Sequence, residues 1–271
     1  QQTYLNWTQW QISLFLAEQW VGTSLSVISP DDLWFVRGFA DFATYRALKD
    51  DADTFDLFAK DKKGEQFFSF DYRQGQDFLA AVLTYFQPYN ALTNSKNRTL
   101  TDFSGQHSLA YIRHSLALRQ MYWSLGTEKF SKLTTNFAQH YQHSKITPQL
   151  FMEYLNDPSN GLSSEERHEV TGYLKMWWET DQWPDFTLGS VDEVVKDDGG
   201  RAVVVEVLQS EEWNLAVDVE VKDEKDKIYK KTLHQRDFKD GSARIKFEID
   251  QPLKSANINP DREVFDWDRF D

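Results

Sequence analysis

With six histidines and no cysteine, the chain has few nitrogen donors and no thiolate for a transition metal. A zinc site needs three deprotonated N, S or O donors and, for catalysis, an open position for water. His140 and His143 lie three apart, the spacing of one helical face, and could form half of such a site. No third donor sits nearby in sequence, so the pair reads as exposed imidazoles near a helix C-terminus, where a positive ring is favoured. The second chemistry open to this composition is stacking. The aromatics are abundant, with 20 Phe, 11 Tyr and 10 Trp. Trp7, Trp10, Trp177 and Trp178 gathered in one exposed patch would hold a glycan or a peptide; the same rings buried would simply be core.

The elements that would position these residues follow from the hydrophobic period. Residues 7–22 read as a helix, with Trp10, Leu14, Ala17 and Val21 on one face. Asp31 or Asp32 is placed to cap the next helix, 32–48, whose core stripe is expected to be Leu33, Phe39 and Phe42. Residues 50–65 read as a helix end and a loop, 77–86 as a short helix and 93–102 as a loop. Residues 127–142 read as a further helix. Thr147-Pro148 starts another, with an N-cap and proline in the first turn. Ser163 to Glu166 forms a capping box that opens the next, which runs to about residue 179. At Trp183-Pro184-Asp185 the period changes from 3.6 to 2, which places a domain boundary between 184 and 185. Leu215, Val217, Val219 and Val221, then Ile245, Phe247 and Ile249, alternate with polar residues, and Asp240-Gly241 marks a turn. Such strands read as an antiparallel sandwich with these residues facing inward.

Composition narrows the function classes. The net charge of −13 argues against nucleic-acid binding, which needs clustered Lys and Arg. It also disfavours anionic membrane surfaces. Hydrophobic residues make up 40% of the chain, enough for a sizeable core, yet no run approaches a membrane span. Without cysteine there is no disulfide framework and no thiolate metal site.

One stretch resembles a known family. Gln19-Trp20-Val21-Gly22 matches the Q-W-F-G that follows H-E-x-x-H in the gluzincin aminopeptidases, the alanyl-aminopeptidase family. Leu33-Trp34-Phe35-Val36-Arg37-Gly38-Phe39-Ala40 matches the family's W-L-N-E-G-F-A, which carries the third zinc ligand. That ligand lies nineteen positions after the second ligand His, and Glu18 to Arg37 keeps the spacing without a gap. Tyr111 and Leu125-Gly126 match the register of the family's catalytic Tyr, in Y-x-K-G, and of the L-G that closes its helix, although Arg113-His114 stands in place of K-G.

The resemblance implies a thermolysin-like, mainly helical aminopeptidase catalytic region over 1–184 and an immunoglobulin-like sandwich over 185–271. It also implies that the chemistry is missing. The two ligand His positions fall on Leu14 and Glu18, the general base on Phe15 and the third ligand on Arg37. Arg offers no lone pair and Phe no base. Zinc is therefore expected to be absent, with Leu14 and Phe15 packed as core and Tyr111 kept as a buried hydrogen-bonding residue. In place of the metal, Glu18 and Arg37 are expected to form a direct ion pair near 3 Å with two parallel hydrogen bonds, and Tyr111 to donate to the same carboxylate. If that pair is buried, breaking it costs about 3–5 kcal/mol.

On this reading the chain is an inactive, bacterial peptidase homologue that acts as a binding or interaction module for peptide or protein. The alternative is a metallopeptidase with other ligands, for which Glu18, His107 and His114 are the candidates. The resembled family has a strand layer ahead of its zinc helix, with a G-x-M-E-N segment. The chain is accordingly expected to be the C-terminal portion of a longer, envelope-associated protein, or a minimal version lacking that edge.

Overall fold

The structure, a computed structural model, describes residues 2–50, 107–179, 184–197, 199–209, 215–260 and 264, with side chains omitted for 2–10, 48–50, 107–110 and 112. The elements expected over 50–65, 77–86 and 93–102 lie outside the described residues, apart from residue 50, as does most of the segment after Asn259. The chain divides into two compact units, Gln1–Asp181 and Gln182–Asp271.

The first unit is helical. Helix α1, Gln2–Ser24, contains no proline and meets its first glycine only at Gly22. The two-residue strand β1, Ser26–Val27, follows and pairs in parallel with β2, Lys145–Ile146. Ser29, rather than Asp31 or Asp32, then caps the chain: its hydroxyl accepts from the Asp31 N–H and opens a 3-10 turn over Pro30–Asp32. This turn feeds α2, Leu33–Asp50. Leu33 is exposed, and the buried face of α2 is carried by Trp34, Phe35, Phe42 and Tyr45. The terminal position of Leu33, ahead of the first full turn, leaves its side chain nothing to pack under.

Helix α3 spans His107–His140 and is broken at Gly126, whose φ of 75° and ψ of 164° no helix accommodates. A residue with a Cβ pays strain at that φ, so glycine is what allows the elbow. The helix ends at His140, and His143 lies beyond it with φ of 62°. His140 and His143 therefore do not share a helical face. Helix α4, Pro148–Asn156, is capped by the Thr147 hydroxyl, which accepts from the Leu150 N–H at 3.1 Å. Helix α5, Ser164–Glu179, begins with the reciprocal box: Glu166 N–H to Ser163 Oγ at 3.1 Å and Ser163 N–H to Glu166 Oε2 at 2.8 Å. Leu14, Phe35, Phe137, Phe151, Tyr173 and Trp177 form the deepest part of the core.

The second unit holds two three-stranded antiparallel sheets. The first has the order β3 (Phe186–Val195), β4 (Arg201–Gln209), β7 (Ser242–Ile249). The second has the order β6 (Ile228–Leu233), β5 (Val217–Asp223), β8 (Leu253–Ile258). Val203, Val205 and Val207 on β4 and Val217, Val219 and Val221 on β5 are fully buried, every second residue. That is the period of a strand with one apolar face. Phe247 and Ile249 are buried with them, whereas Ile245 is only half-buried. Ile245 sits opposite Val205, but β7 is an edge among the described strands, so one side of it has no neighbour.

Among the described residues no helix is long and apolar enough to cross a membrane.

Candidate functional site

Three helices bring polar side chains together inside an otherwise aromatic core. On α2, Arg37, Asp41 and Tyr45 recur every fourth residue and share a face. On α3, Tyr111, Ser115 and Arg119 do the same. The two rows meet in order: the Arg37 guanidinium lies 4.6 Å from the centre of the Tyr111 ring, and the Arg119 guanidinium lies 4.0 Å from that of Tyr45. The helices thus run in the same direction. Glu18 of α1 closes the Arg37 end of the ladder.

Arg37 Nε stands 2.8 Å from Glu18 Oε1. The structure therefore brings together the two positions that the spacing singled out. The form of the contact differs from the expected fork. A single nitrogen makes it, and its N–H is not aligned on an acceptor. The side chains also keep 38% and 28% of their surface in water, so the pair is not the buried one for which a cost of 3–5 kcal/mol applies. A half-exposed pair is worth roughly 1 kcal/mol or less. Tyr111 is buried and meets Arg37 with its ring face, a cation–π contact in place of the expected donation to Glu18. Burial, joined by the nearby Asp41 charge, drives the Tyr111 hydroxyl to a higher pKa, so it stays protonated at neutral pH.

Leu14 is fully buried and packs as core, as expected. Phe15 does not: it is 54% exposed. Consecutive residues on a helix point about 100° apart, so a face that buries Leu14 turns Phe15 away from it. The expectation that both would fill the same space ignored that rotation.

Asp41 is the group that reading the sequence missed. It is completely buried, and neither carboxylate oxygen has an aligned hydrogen-bond partner. Burial pushes its carboxyl up to about 6, against the opposing pull of Ser115, Arg37 and Arg119. A signal was present in the fourfold spacing Arg37, Asp41, Tyr45 opposite Tyr111, Ser115, Arg119. Read on one helix alone, each row looks like a solvated face.

His114 is buried in an aromatic cage. Phe35 stacks on it at 4.7 Å, Phe39 and Trp34 approach edge-on at 5.2 and 5.5 Å, and Trp178 lies tilted at 5.5 Å. Trp178 Nε1 donates to His114 Nδ1 at 3.3 Å. Burial alone lowers the imidazole to about 3, so the ring is neutral at physiological pH. Gly38 makes the close approach possible: a Cβ there would stand 2.5 Å from His114 Cδ2. The neighbouring Arg113 is also buried and donates from Nε to the Trp177 carbonyl at 3.0 Å.

Leu14 has no lone pair, Arg37 has none, and Glu18 is taken up by the guanidinium. The three positions Leu14, Glu18 and Arg37 together offer one carboxylate as a donor. Among the described residues no group of three His, Asp or Glu could hold a metal ion. Of the alternative ligands, His114 is enclosed by rings and already accepts from Trp178, and the His107 side chain lies outside the described residues. Trp177 and Trp178 are buried, so they contribute no exposed stacking patch with Trp7 and Trp10. The side chains of Trp7 and Trp10 lie outside the described residues.

No protein-family model matches the chain, and no curated protein matches it. Among solved structures, Legionella pneumophila aminopeptidase A in complex with aspartic acid aligns with 93% of this chain and 26% of its own, at 11% identity and a TM-score of 0.50. The chain thus spans about a quarter of that structure's length. The likeness is one of fold: a helical part followed by antiparallel sheets, compatible with part of a peptidase-like architecture.

Proposed function

We propose that the chain is an inactive homologue of the gluzincin aminopeptidases that serves as a binding or interaction module for peptide or protein. Its helical unit corresponds in this reading to the catalytic region, and its strands to an immunoglobulin-like sandwich. One observation carries the proposal. The position framed by Leu14, Glu18 and Arg37 holds a carboxylate–guanidinium contact of 2.8 Å and offers no second metal donor. A permanent cation there opposes a divalent metal, and no base stands in the place of Phe15 to activate a water. Asp41, one turn after Arg37 on the same helix, is closed off from solvent.

The alternative, a zinc peptidase held by Glu18, His107 and His114, requires His114 to leave the Trp178 hydrogen bond and its ring cage. The test is metal analysis of protein purified without chelator, with aminoacyl-p-nitroanilide hydrolysis measured on the same sample. The expected result is no stoichiometric zinc and no hydrolysis. Stoichiometric zinc that strips with loss of hydrolysis would sink the reading.

A further inference from the structure

Asn160 is the only asparagine of the chain that a glycine follows. It closes the 3-10 turn Pro158–Asn160 in the corner between α4 and α5. The residue is buried, and its amide is engaged at both ends. Nδ2 donates to the Tyr154 and Leu155 carbonyls, each at 2.9 Å, and Oδ1 accepts from the Leu162 N–H at 2.8 Å. The two carbonyls lie in the last turn of α4, where helical donors run out. Their partners in a longer helix would be Pro158, which has no N–H, and Ser159, whose N–H donates to Asp157 Oδ1 at 2.7 Å. Asn160 supplies the missing donors and is therefore the C-terminal cap of α4.

The same residue pair carries a reactivity of its own. Gly161 has no side chain to shield its backbone nitrogen, and the space around its Cα is open. Its N–H forms no hydrogen bond among the described residues. Once that N–H loses its proton to hydroxide, the nitrogen can attack Asn160 Cγ. A C–N bond forms, negative charge collects on Oδ1, and the Cγ–Nδ2 bond breaks as ammonia leaves with a proton from water. A water molecule then opens the five-membered succinimide at either carbonyl, giving aspartate or isoaspartate. The balance is one water taken up and one ammonia released. The Leu162 N–H already faces Oδ1, the atom that takes the charge. What opposes the attack is the grip on the amide, which must turn to meet the Gly161 nitrogen.

We infer that Asn160 is a site of spontaneous deamidation, closed while its amide caps α4 and open when the corner between α4 and α5 comes apart. The product carries a carboxylate, which accepts hydrogen bonds and donates none. It cannot return to the two carbonyls, and its charge meets the negative end of the α4 dipole. Loss of the cap is thus irreversible, and the modified fraction records how often the corner has opened. The site needs only water and is independent of Leu14, Glu18 and Arg37.

The experiment incubates the full chain at mildly alkaline pH in buffer and in guanidinium chloride, and follows Asn160 by mass spectrometry of the peptide that contains it. Conversion in denaturant is expected to be at least about a hundredfold faster, because slow chemistry tracks the population of the open state. Leu162 is buried beside the corner, and truncating it leaves both reacting residues in place. Leu162→Ala is expected to raise the rate in buffer about tenfold and to leave the rate in denaturant unchanged. If this variant does not fold, its rate in buffer rises to the denatured value and the wild-type comparison decides. After removal of the denaturant, anion exchange separates the deamidated chain by its extra negative charge, and that fraction is expected to melt at a lower Tm than the intact one. Equal rates in buffer and denaturant would overturn the gate, as would a Leu162→Ala rate in buffer equal to that of wild type. Asn160 left intact in denaturant would overturn the site. Equal Tm values for the two fractions would overturn the cap.

Discussion

Asp41 and His114 are both fully buried, and burial moves them in opposite directions along the pH scale. The carboxyl rises from 3.8 to about 6, so between about pH 4 and 6 the folded chain keeps a proton that the unfolded chain has released. That contribution is fully present below the unfolded value and is lost as pH rises through the folded one, a slope of about −1.4 kcal/mol per pH unit. The imidazole falls from 6.5 to about 3, so over the same range the unfolded chain binds a proton that the folded chain refuses. Its contribution has the opposite slope, about +1.4 kcal/mol per unit, and is lost as pH falls below 6.5. The two cancel in the wild-type chain, and each substitution uncovers the other group. Asp41→Asn should become more stable by about 2 kcal/mol from pH 4 to pH 6 relative to wild type, and His114→Phe less stable by a similar amount. The groups facing Asp41 are Arg37, Arg119, Ser115 and Glu18; those around His114 are uncharged rings. The assay is urea unfolding across this pH range, followed by the far-ultraviolet ellipticity of the helices. The slope is the readout, because the hydrogen bond that His114→Phe removes from Trp178 costs the same at every pH. Three parallel curves would refute the argument that burial sets both protonation states.

Gly38→Ala should destabilise the helical unit by about 1–3 kcal/mol, seen as a lower Tm, because the new methyl overlaps the His114 ring. Pairing Gly38→Ala with His114→Ala should recover part of the loss. A double-mutant cycle on Glu18→Gln and Arg37→Gln should give a coupling of roughly 1 kcal/mol or less that shrinks with added salt, as partial exposure requires. A coupling of 3 kcal/mol or more would show that water does not reach the pair.

The succession of helices and then strands is legible in the hydrophobic period, and the caps at Thr147 and Ser163 are legible because their chemistry is local. The nearness of Glu18 and Arg37 is legible too, since opposite charges stand nineteen positions apart, at the two positions the family resemblance singles out. Their partial exposure is not, because it depends on what covers the helix surface rather than on the pair. Asp41 illustrates the same limit from the other side. An aspartate between Ala40 and Phe42 reads as the wet side of a helix, and only packing against α3 buries it. Phe15 was misread for a simpler reason, the rotation between neighbours on one helix. The exposed row of Ile12, Leu16 and Trp20 hides in a helix whose apolar and polar residues are both spread round its axis, where period alone does not tell the covered face from the bare one.

The helical unit is tied together by unusually distant partners. Trp178 reaches His114 and Trp177 accepts from Arg113, each across 64 positions of chain. Helices α2 and α3 run the same way, so no tight turn could join them. Each such contact must close a long loop before it yields any stability, and two-state folding rates fall as contacts become less local. This unit should accordingly fold with the slow kinetics of a β-rich domain, in milliseconds to seconds, despite its helical content. During that interval the rings of Trp34 and Phe35 lack the partners that bury them. The nascent chain is therefore at its most vulnerable to aggregation before α3 and α5 have arrived, and a chaperone that holds α1 and α2 would act over that interval.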